Sequence, residues 1–207
     1  MAPMGTNADQ WIADVTTFLR SSFGNAAPAV SAADVAAARA SSRGRTTQWT
    51  QAELAAMLPR PLVPDATWTV SASHNAAAAP GALNFTRWTS GVPQQAGMWL
   101  RIDLPRVASL TELQFESAPV GGARGGPPPA GTFPRAYRVE VSMDGMAWSG
   151  PVAIGEGNGR VTTATFAPVA AKAIRITQTA AVENAPIWSV ERLRLFEAPA
   201  GAPGGLR

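Results

Sequence analysis

Alternation of apolar and polar residues, in short runs from residue 68 onward, constrains the fold more than any other feature of the chain. In the run AYRVEVSMD, Tyr137, Val139 and Val141 share one face of an extended strand, and the charged residues between them face the opposite way. Six further runs have strand composition: WTVSAS (68–73), MWLRIDLP (98–105), SLTELQFES (109–117), TTATFAP (162–168), AKAIRITQT (171–179) and WSVERLRLF (188–196). One-sided burial of this kind predicts an all-β antiparallel sandwich.

Ahead of the strands, apolar residues recur with the period of an α-helix. Between residues 9 and 23 the apolar side chains form one stripe of a helix, and Gly24 supplies a left-handed stop. A second helix is predicted after Ser31 and a third after Thr50, since Thr50 and Glu53 have the spacing of a capping box. The proline-rich run PRPLVP (59–64) predicts a stiff linker. The stripe of the first helix consists of Trp11, Ile12, Val15, Phe18 and Leu19.

Composition excludes several classes of protein. Hydrophobic residues make up 46% of the 207 residues and charged residues 15%, which is too apolar for a disordered chain. No apolar run approaches the roughly 18 residues of a membrane-spanning helix, so no membrane insertion is expected. The 17 basic residues exceed the 14 acidic ones by only three and are scattered singly along the predicted strands. Because nucleic-acid binding requires a clustered basic surface, we expect no nucleic-acid partner.

Catalytic groups are scarce in this sequence. The chain has no cysteine, which excludes disulfides, thiolate catalysis and covalent haem attachment within it, and it has one histidine, His74. Glu112 and Glu116 form the one close carboxylate pair, and we predict that both are solvated. A hydrolase would need an acid–base pair that the sequence does not offer. We therefore predict a protein with no catalytic residues, no cofactor and no enzyme activity.

Several motifs together resemble the coagulation factor 5/8 type C domain, also called the discoidin domain, and its relatives among the family 32 carbohydrate-binding modules. The motifs are ASHN (72–75), TRWTSG (86–91), GMWLRIDL (97–104), FPRAYRVEVSMDGMAW (133–148), AKAIRITQT (171–179) and WSVERLRL (188–195). The resemblance implies a jelly-roll sandwich of about eight antiparallel strands with a small α-helical appendage at its N-terminus. It also implies a glycan or a cell-surface protein as ligand, bound by loops at one end, and a periplasmic or extracellular location. The start of the chain lacks a secretion signal.

The segment DQWIADVTTFLRSSFGNAAP (9–28) resembles the last helix of a class I cytochrome c, as found ahead of such sandwiches in planctomycete proteins. The resemblance places Met1 or Met4 at the methionine axial ligand, with Met4 as the haem ligand if a partner segment exists. No Cys-x-x-Cys-His motif occurs, so haem would belong to a longer parent protein. The expected division is a cytochrome c-like helix remnant (1–28), a helical linker (29–65), the discoidin-like sandwich (66–198) and a disordered tail (199–207). The alternative function is therefore the C-terminal part of a haem-containing electron-transfer protein with an upstream cytochrome domain.

Three residues are the candidate ligand groups. His74 follows the first strand of the sandwich, where the resemblance places ligand loops, and Asn75 and Arg87 are its expected companions. The alternative is that His74 and Asn75 only cap a turn. The resemblance assigns five of the seven tryptophans to the core or to a sheet edge, and it leaves Phe133 as the one aromatic residue of the Gly/Pro-rich loop 120–134. The five tryptophans are Trp68, Trp88, Trp99, Trp148 and Trp188.

Many relatives hold a structural calcium ion with an aspartate before the TRW motif and a glutamate on the last strand. This chain has Asn84 before the motif, and Arg192 falls where the glutamate is expected. Because Ca²⁺ takes six to eight oxygen ligands with carboxylates among them, we predict no calcium and place the Arg192 guanidinium in the calcium position. A one-residue shift of register would instead bring Glu191 to that position.

Overall fold

The computed structural model describes residues 6–24, 27–43, 45, 47–119 and 131–199. The chain consists of two compact units, with the division between Leu54 and Ala55. We call them the helical unit and the sandwich. The prediction for Met4, the predicted tail from residue 200 onward and most of the predicted Gly/Pro-rich loop lie outside the described residues.

Three helices form the helical unit: α1 (Asp9–Ser21), α2 (Ala32–Ser41) and α3 (Gln51–Ala56), whose last residues pass the division. Local hydrogen bonds between side chains and backbone define the starts of α2 and α3. The Ser31 hydroxyl accepts from the Asp34 backbone N–H, and the Asp34 carboxylate accepts from the Ser31 N–H. Thr50 and Glu53 make the same reciprocal bonds at α3, as their spacing predicts.

Few apolar side chains of the helical unit are buried. Within its described residues, Ala13 and Val35 are the only buried hydrophobic side chains. The predicted stripe of α1 is largely exposed, since Trp11 keeps 45% of its surface and Phe18 keeps 59%. Short helices of this length are marginally stable in water without tertiary packing, so local capping matters more here than a core does.

Eight strands form the sandwich, and every pairing between them is antiparallel. The sheet has the order β1-β8-β4-β7-β5-β6, with β2 paired to β4 and β3 paired to β8. The predicted all-β antiparallel fold is confirmed. The strands are β1 (Arg60–Pro61), β2 (Thr69–Ala72), β3 (Trp88–Pro93), β4 (Trp99–Glu116), β5 (Tyr137–Ser142), β6 (Ala153–Gly155), β7 (Val161–Gln178) and β8 (Ile187–Glu197).

Two long strands correct the predicted strand list. β4 and β7 are each continuous where the sequence predicts two separate strands. Their pairing shifts register between Asp103 and Ala108, and such an irregularity bends a strand without ending it. The bend lets both strands contribute to both layers of a curled sheet. β3 and β6 were missed, and β1 lies inside the predicted linker, where Leu62 also donates to the Leu195 carbonyl.

The core lies between the two layers and contains the indole rings of Trp88 and Trp188. These rings are fully buried and meet edge to face at 5.1 Å between centroids. The predicted core role is confirmed for both, and Trp68 packs partly buried against the same core. Trp99 and Trp148 are half-buried, and the Arg175 guanidinium lies 4.3 Å from the centroid of the Trp148 ring.

The end of the sandwich that carries the ends of β2 and β7 and the starts of β4 and β5 is called the loop end. It comprises residues 73–76, 94–98, 117–119, 131–136, 155–160 and 179–186. Buried polar side chains fix its backbone. The Gln94 amide donates to the Phe133 carbonyl and accepts from the Gln178 amide, whose oxygen in turn accepts from the Ala136 N–H. Because both glutamines are almost fully buried, these bonds hold the loops in one arrangement.

Candidate functional site

His74 lies directly after β2 at the loop end. Its Nδ1 is 2.9 Å from the Ser73 hydroxyl, which also accepts from the Trp99 backbone N–H at 2.9 Å. The His74 carbonyl accepts from the Trp88 indole N–H at 3.1 Å. The Nδ1 of His74 is therefore held by Ser73 and its carbonyl by Trp88, while the residue is half-buried.

Asn75 adopts the left-handed conformation, with φ of 47°, which asparagine tolerates better than most residues. It precedes a 3₁₀ helix over Ala76–Leu83, but its side chain makes no capping bond to that helix. The amide instead donates to the Thr89 carbonyl on β3 at 3.0 Å. Asn75 thus joins the turn to the neighbouring strand, a structural role close to the alternative that the sequence left open.

Arg87 makes its contacts elsewhere. Its Nε and Nη2 both lie 2.9 Å from one carboxylate oxygen of Glu191, whose side chain is almost fully buried. The Arg87 carbonyl also packs so closely against Gly81 that a Cβ there would come within 2.6 Å of it. No contact between described residues joins the Arg87 guanidinium to His74 or Asn75, so the grouping of these three residues as one ligand site stays a prediction.

The residues around Asn84, where the family resemblance places a calcium ion, bond to one another. The Asn84 side-chain oxygen accepts from the N–H and the hydroxyl of Thr86, at 2.7 Å each, and its carbonyl accepts from the Arg192 N–H. The β4–β8 register shifts near Arg192, whose φ is 50°, and this bulge turns Glu191 toward Arg87. The Arg192 guanidinium pairs with Glu116 and lies 5.3 Å from the Phe85 ring centroid. Among the described residues, no three His, Cys, Asp or Glu side chains form a group that could hold a metal.

Two carboxylates differ from their predicted solvation. Glu116 pairs with both Arg160 and Arg192, and its side chain keeps 12% of its exposure, so the prediction that it is solvated is wrong. Burial raises the pKa of the Glu112 carboxyl above its usual range. The two arginines that pair with Glu116 are distant from it in the sequence. The spacing of the two glutamates along β4 carries no signal for such partners.

A cavity of about 230 Å³ opens at the loop end. Its lining combines apolar and polar groups: Ser117, Ala118, Pro119, Phe133 and Arg160, with Gly131 and Gly159. Beside it, the Arg135 guanidinium lies 4.3 Å from the Phe133 ring centroid and donates to the Gly131 carbonyl. Burial lowers the pKa of Arg135. The sequence pointed to Phe133 but missed Arg135 and Arg160; the FPR tripeptide (133–135) was the available signal for Arg135.

The arrangement lacks the parts of a hydrolase. Ser73 and His74 are within hydrogen-bond distance, as a nucleophile and its base must be. The Ser73 hydroxyl is, however, also bonded to the backbone of Trp99, and no carboxylate among the described residues contacts His74. A third group that orients the imidazole is therefore missing from the described structure.

The fold and the site together define a jelly-roll-like β-sandwich domain whose candidate ligand groups lie on loops. The family model described as F5/8 type C domain matches residues 65–193, well over half of the chain. The chain therefore belongs to the F5/8 type C domain family. No curated protein matches the chain. No helix among the described residues is both long and apolar enough to cross a membrane.

The chain is similar to several solved structures at low sequence identity. A truncated AlyQ with CBM32 and alginate lyase domains is 17% identical, with a TM-score of 0.50, and the match covers 72% of this chain and 36% of that one. The family 32 CBM of Clostridium perfringens NanJ, solved with galactose, is 22% identical, with a TM-score of 0.49 and coverages of 68% and 100%. Chitosan-binding module 1 from Paenibacillus sp. IK-5 is 19% identical, with a TM-score of 0.47 and coverages of 63% and 94%.

Proposed function

We propose that the chain is a non-catalytic module that binds a glycan at its loop end, outside the cytoplasm. The observation that carries the proposal is the cavity beside Phe133, which is lined by loop residues at one end of the sandwich. Membership of the F5/8 type C family supports a binding role. Fold alone does not identify a ligand, so the proposal rests on the groups at this end.

The chemistry of the loop end suits a sugar. The Phe133 ring offers an apolar surface for the C–H face of a pyranose, and the guanidinium of Arg160 offers N–H donors for hydroxyl groups. The half-exposed imidazole of His74 provides a further hydrogen-bonding group at this end. The volume of about 230 Å³ is below the roughly 300–1,000 Å³ typical of drug-sized ligands. We therefore propose that one terminal sugar residue enters the cavity.

A glycan array probed with the full chain tests this proposal. We expect binding to a defined set of neutral glycans, and a loss of about tenfold or more in affinity for Phe133→Ala because a stacking surface is removed. His74→Ala is expected to weaken binding less. Met146→Ala is the matched control, since Met146 is a highly exposed apolar side chain. Binding that is absent from the array, or unchanged in Phe133→Ala, would overturn the proposal.

The exposed stripe of α1 favours the second candidate function, in which the helical unit packs against a cytochrome c-type domain of a longer protein. Aromatic side chains such as Trp11 and Phe18 are unfavourable in water, and a covering domain would bury them. The DNA upstream of Met1 tests this. A segment in frame that encodes Cys-x-x-Cys-His would support the candidate, and its absence there would remove it.

A further inference from the structure

A second cavity, of about 340 Å³, lies on the flank of the sandwich. Its walls come from three separate segments: residues 61–64 after β1, residues 83–85 at the end of the 3₁₀ helix, and residues 192–194 of β8. We call it the flank groove. The glycan-binding proposal for the loop end uses none of these residues.

One wall of the flank groove is an exposed aromatic ring. Phe85 keeps 77% of its surface, although it sits in a turn that the Asn84 side chain fixes with two hydrogen bonds to Thr86. The Arg192 guanidinium lies 5.3 Å from the ring centroid. A phenyl ring held by a rigid turn loses little conformational freedom when a ligand binds, which favours its use as a stacking surface.

Positive charge at the groove exceeds the negative charge that balances it. The Arg192 guanidinium pairs with Glu116, a carboxylate that it shares with Arg160 of the loop-end cavity. Arg194 lies opposite Gln114 in the β4–β8 ladder, and within the described part of the chain no ion pair or side-chain hydrogen bond engages it. An exposed guanidinium without a partner retains all its donors for an anionic ligand.

The outer face of the other layer also carries more guanidiniums than carboxylates, so the groove differs from it in the unpaired Arg194 and not in having an excess. Three arginines lie there as well, but each of them is paired with a carboxylate. Arg101 pairs with Asp103, and Arg138 and Arg175 pair with Glu140. The guanidiniums on that face therefore have little capacity left for a ligand, in contrast to Arg194.

We propose that the flank groove binds a carboxylated sugar chain. The sugar carboxylate pairs with Arg194, and the apolar face of a pyranose ring packs on Phe85 and the proline-rich wall of residues 61–64. An anionic group with an apolar ring next to it matches the chemistry of the groove. No residue that lines the flank groove also lines the loop-end cavity, so variants of Arg194 and Phe85 test this site apart from the first proposal.

Binding of a galacturonate tetrasaccharide to the full chain, measured by isothermal titration calorimetry, tests this site. We expect saturable binding that weakens as salt is raised, because exposed charges are screened. Arg194→Gln is expected to weaken binding by about tenfold to a hundredfold, and Phe85→Ala by about tenfold. Arg138→Gln changes the net charge equally on the other face, and Ile154→Ala removes an apolar side chain with the same 77% exposure. Both are expected to leave binding unchanged.

Comparison ligands and one further variant separate the outcomes. The carboxyl-reduced tetrasaccharide is expected to bind at least tenfold more weakly than the acid form, as is a tetraglutamate peptide, which lacks the ring. Equal binding of the peptide would overturn the sugar assignment, and equal effects of Arg194→Gln and Arg138→Gln would overturn the site. Loss of galacturonate binding in His74→Ala would place this ligand at the loop end and overturn the groove site. If His74→Ala lost only its binding of neutral glycans, the result would concern the loop-end proposal and leave the groove site supported.

Discussion

The helical unit and the sandwich become ordered by different means. In the sandwich, strands distant in sequence pair along their length and enclose a core that includes Trp88, Trp188 and Phe115. In the helical unit, two of the three short helices, α2 and α3, begin at reciprocal side-chain bonds, and the buried hydrophobic side chains among its described residues are Ala13 and Val35. Long-range packing dominates one unit and local hydrogen bonding the other.

This difference has a functional consequence. A domain with its own core can hold loops in fixed positions, and the loop end and the flank groove both belong to the sandwich. The helical unit, in contrast, leaves the α1 stripe exposed, and an apolar face of this kind requires a partner to become stable. Ligand binding by the sandwich and attachment through the helices are accordingly the two proposals that this difference supports.

The same substitution in the two units provides the most severe test of the comparison. Trp188→Ala removes a fully buried indole that packs edge to face on Trp88, and we expect it to cost about 3–5 kcal/mol of the free energy of unfolding. Trp11→Ala removes a half-exposed indole and is expected to cost about 0.5 kcal/mol. Urea denaturation followed by circular dichroism measures both. Similar losses for the two variants would contradict the division.

A smaller effect is expected from the buried hydroxyl of Ser189, which tests whether loop order depends on distant residues. The Ser189 hydroxyl accepts from the Ala118 N–H and bonds the Thr132 hydroxyl at 2.6 Å, and all three residues are buried. Ser189→Ala leaves these partners short of a hydrogen bond and is expected to cost roughly 1–3 kcal/mol in urea denaturation.

Ser42→Ala is the control for Ser189→Ala. It removes a hydroxyl that bonds one turn back in the helical unit, where water can replace it. The expected change in unfolding free energy is below about 0.5 kcal/mol. If Ser42→Ala were the more damaging of the two, the view that long-range bonds stabilise the sandwich would fail.

Features with a local physical cause were the ones that the sequence predicted. The alternation around Val139 gave strand β5 and its buried face, and the Thr50–Glu53 spacing gave the start of α3, because one turn of backbone determines each of them. The long strands β4 and β7 were each predicted as two strands. In β4, the polar and proline residues near Pro105 resemble a strand end. A bend between two paired strands depends on the partner strand, and single-strand periodicity does not report it.

The candidate sites were predictable to a smaller extent for the same reason. His74 was found because it is the one imidazole, but the contact of Arg87 with Glu191 joins residues 104 positions apart. The basic residues are scattered singly along the sequence, and this pattern predicted no basic cluster. Strand pairing brings Arg160 and Arg192 to one carboxylate, and this convergence exists only in the fold.

The smallest predicted effect concerns acid pH and the cap of α3. The Arg45 guanidinium and the N–H and hydroxyl of Thr50 all donate to Glu53, and they lower the pKa of its carboxyl to about 2 from an ordinary value of 4.5. Between these values the unfolded segment binds the proton more readily than the capped one. The stabilisation is therefore complete above pH 4.5 and is lost as pH falls toward 2.

A carbon-13 NMR titration of the Glu53 carboxyl measures this directly, and the fluorescence of Trp49, whose ring lies 3.8 Å from the Arg45 guanidinium, follows the same segment. Glu53→Gln keeps the shape of the side chain without its charge, so the acid-dependent change in that fluorescence should disappear. Glu183 is the internal control, because it lies in the sandwich and has no part in the cap. A Glu53 midpoint near 4.5 would mean that the cap does not persist in solution, and α3 would then lack its local source of order.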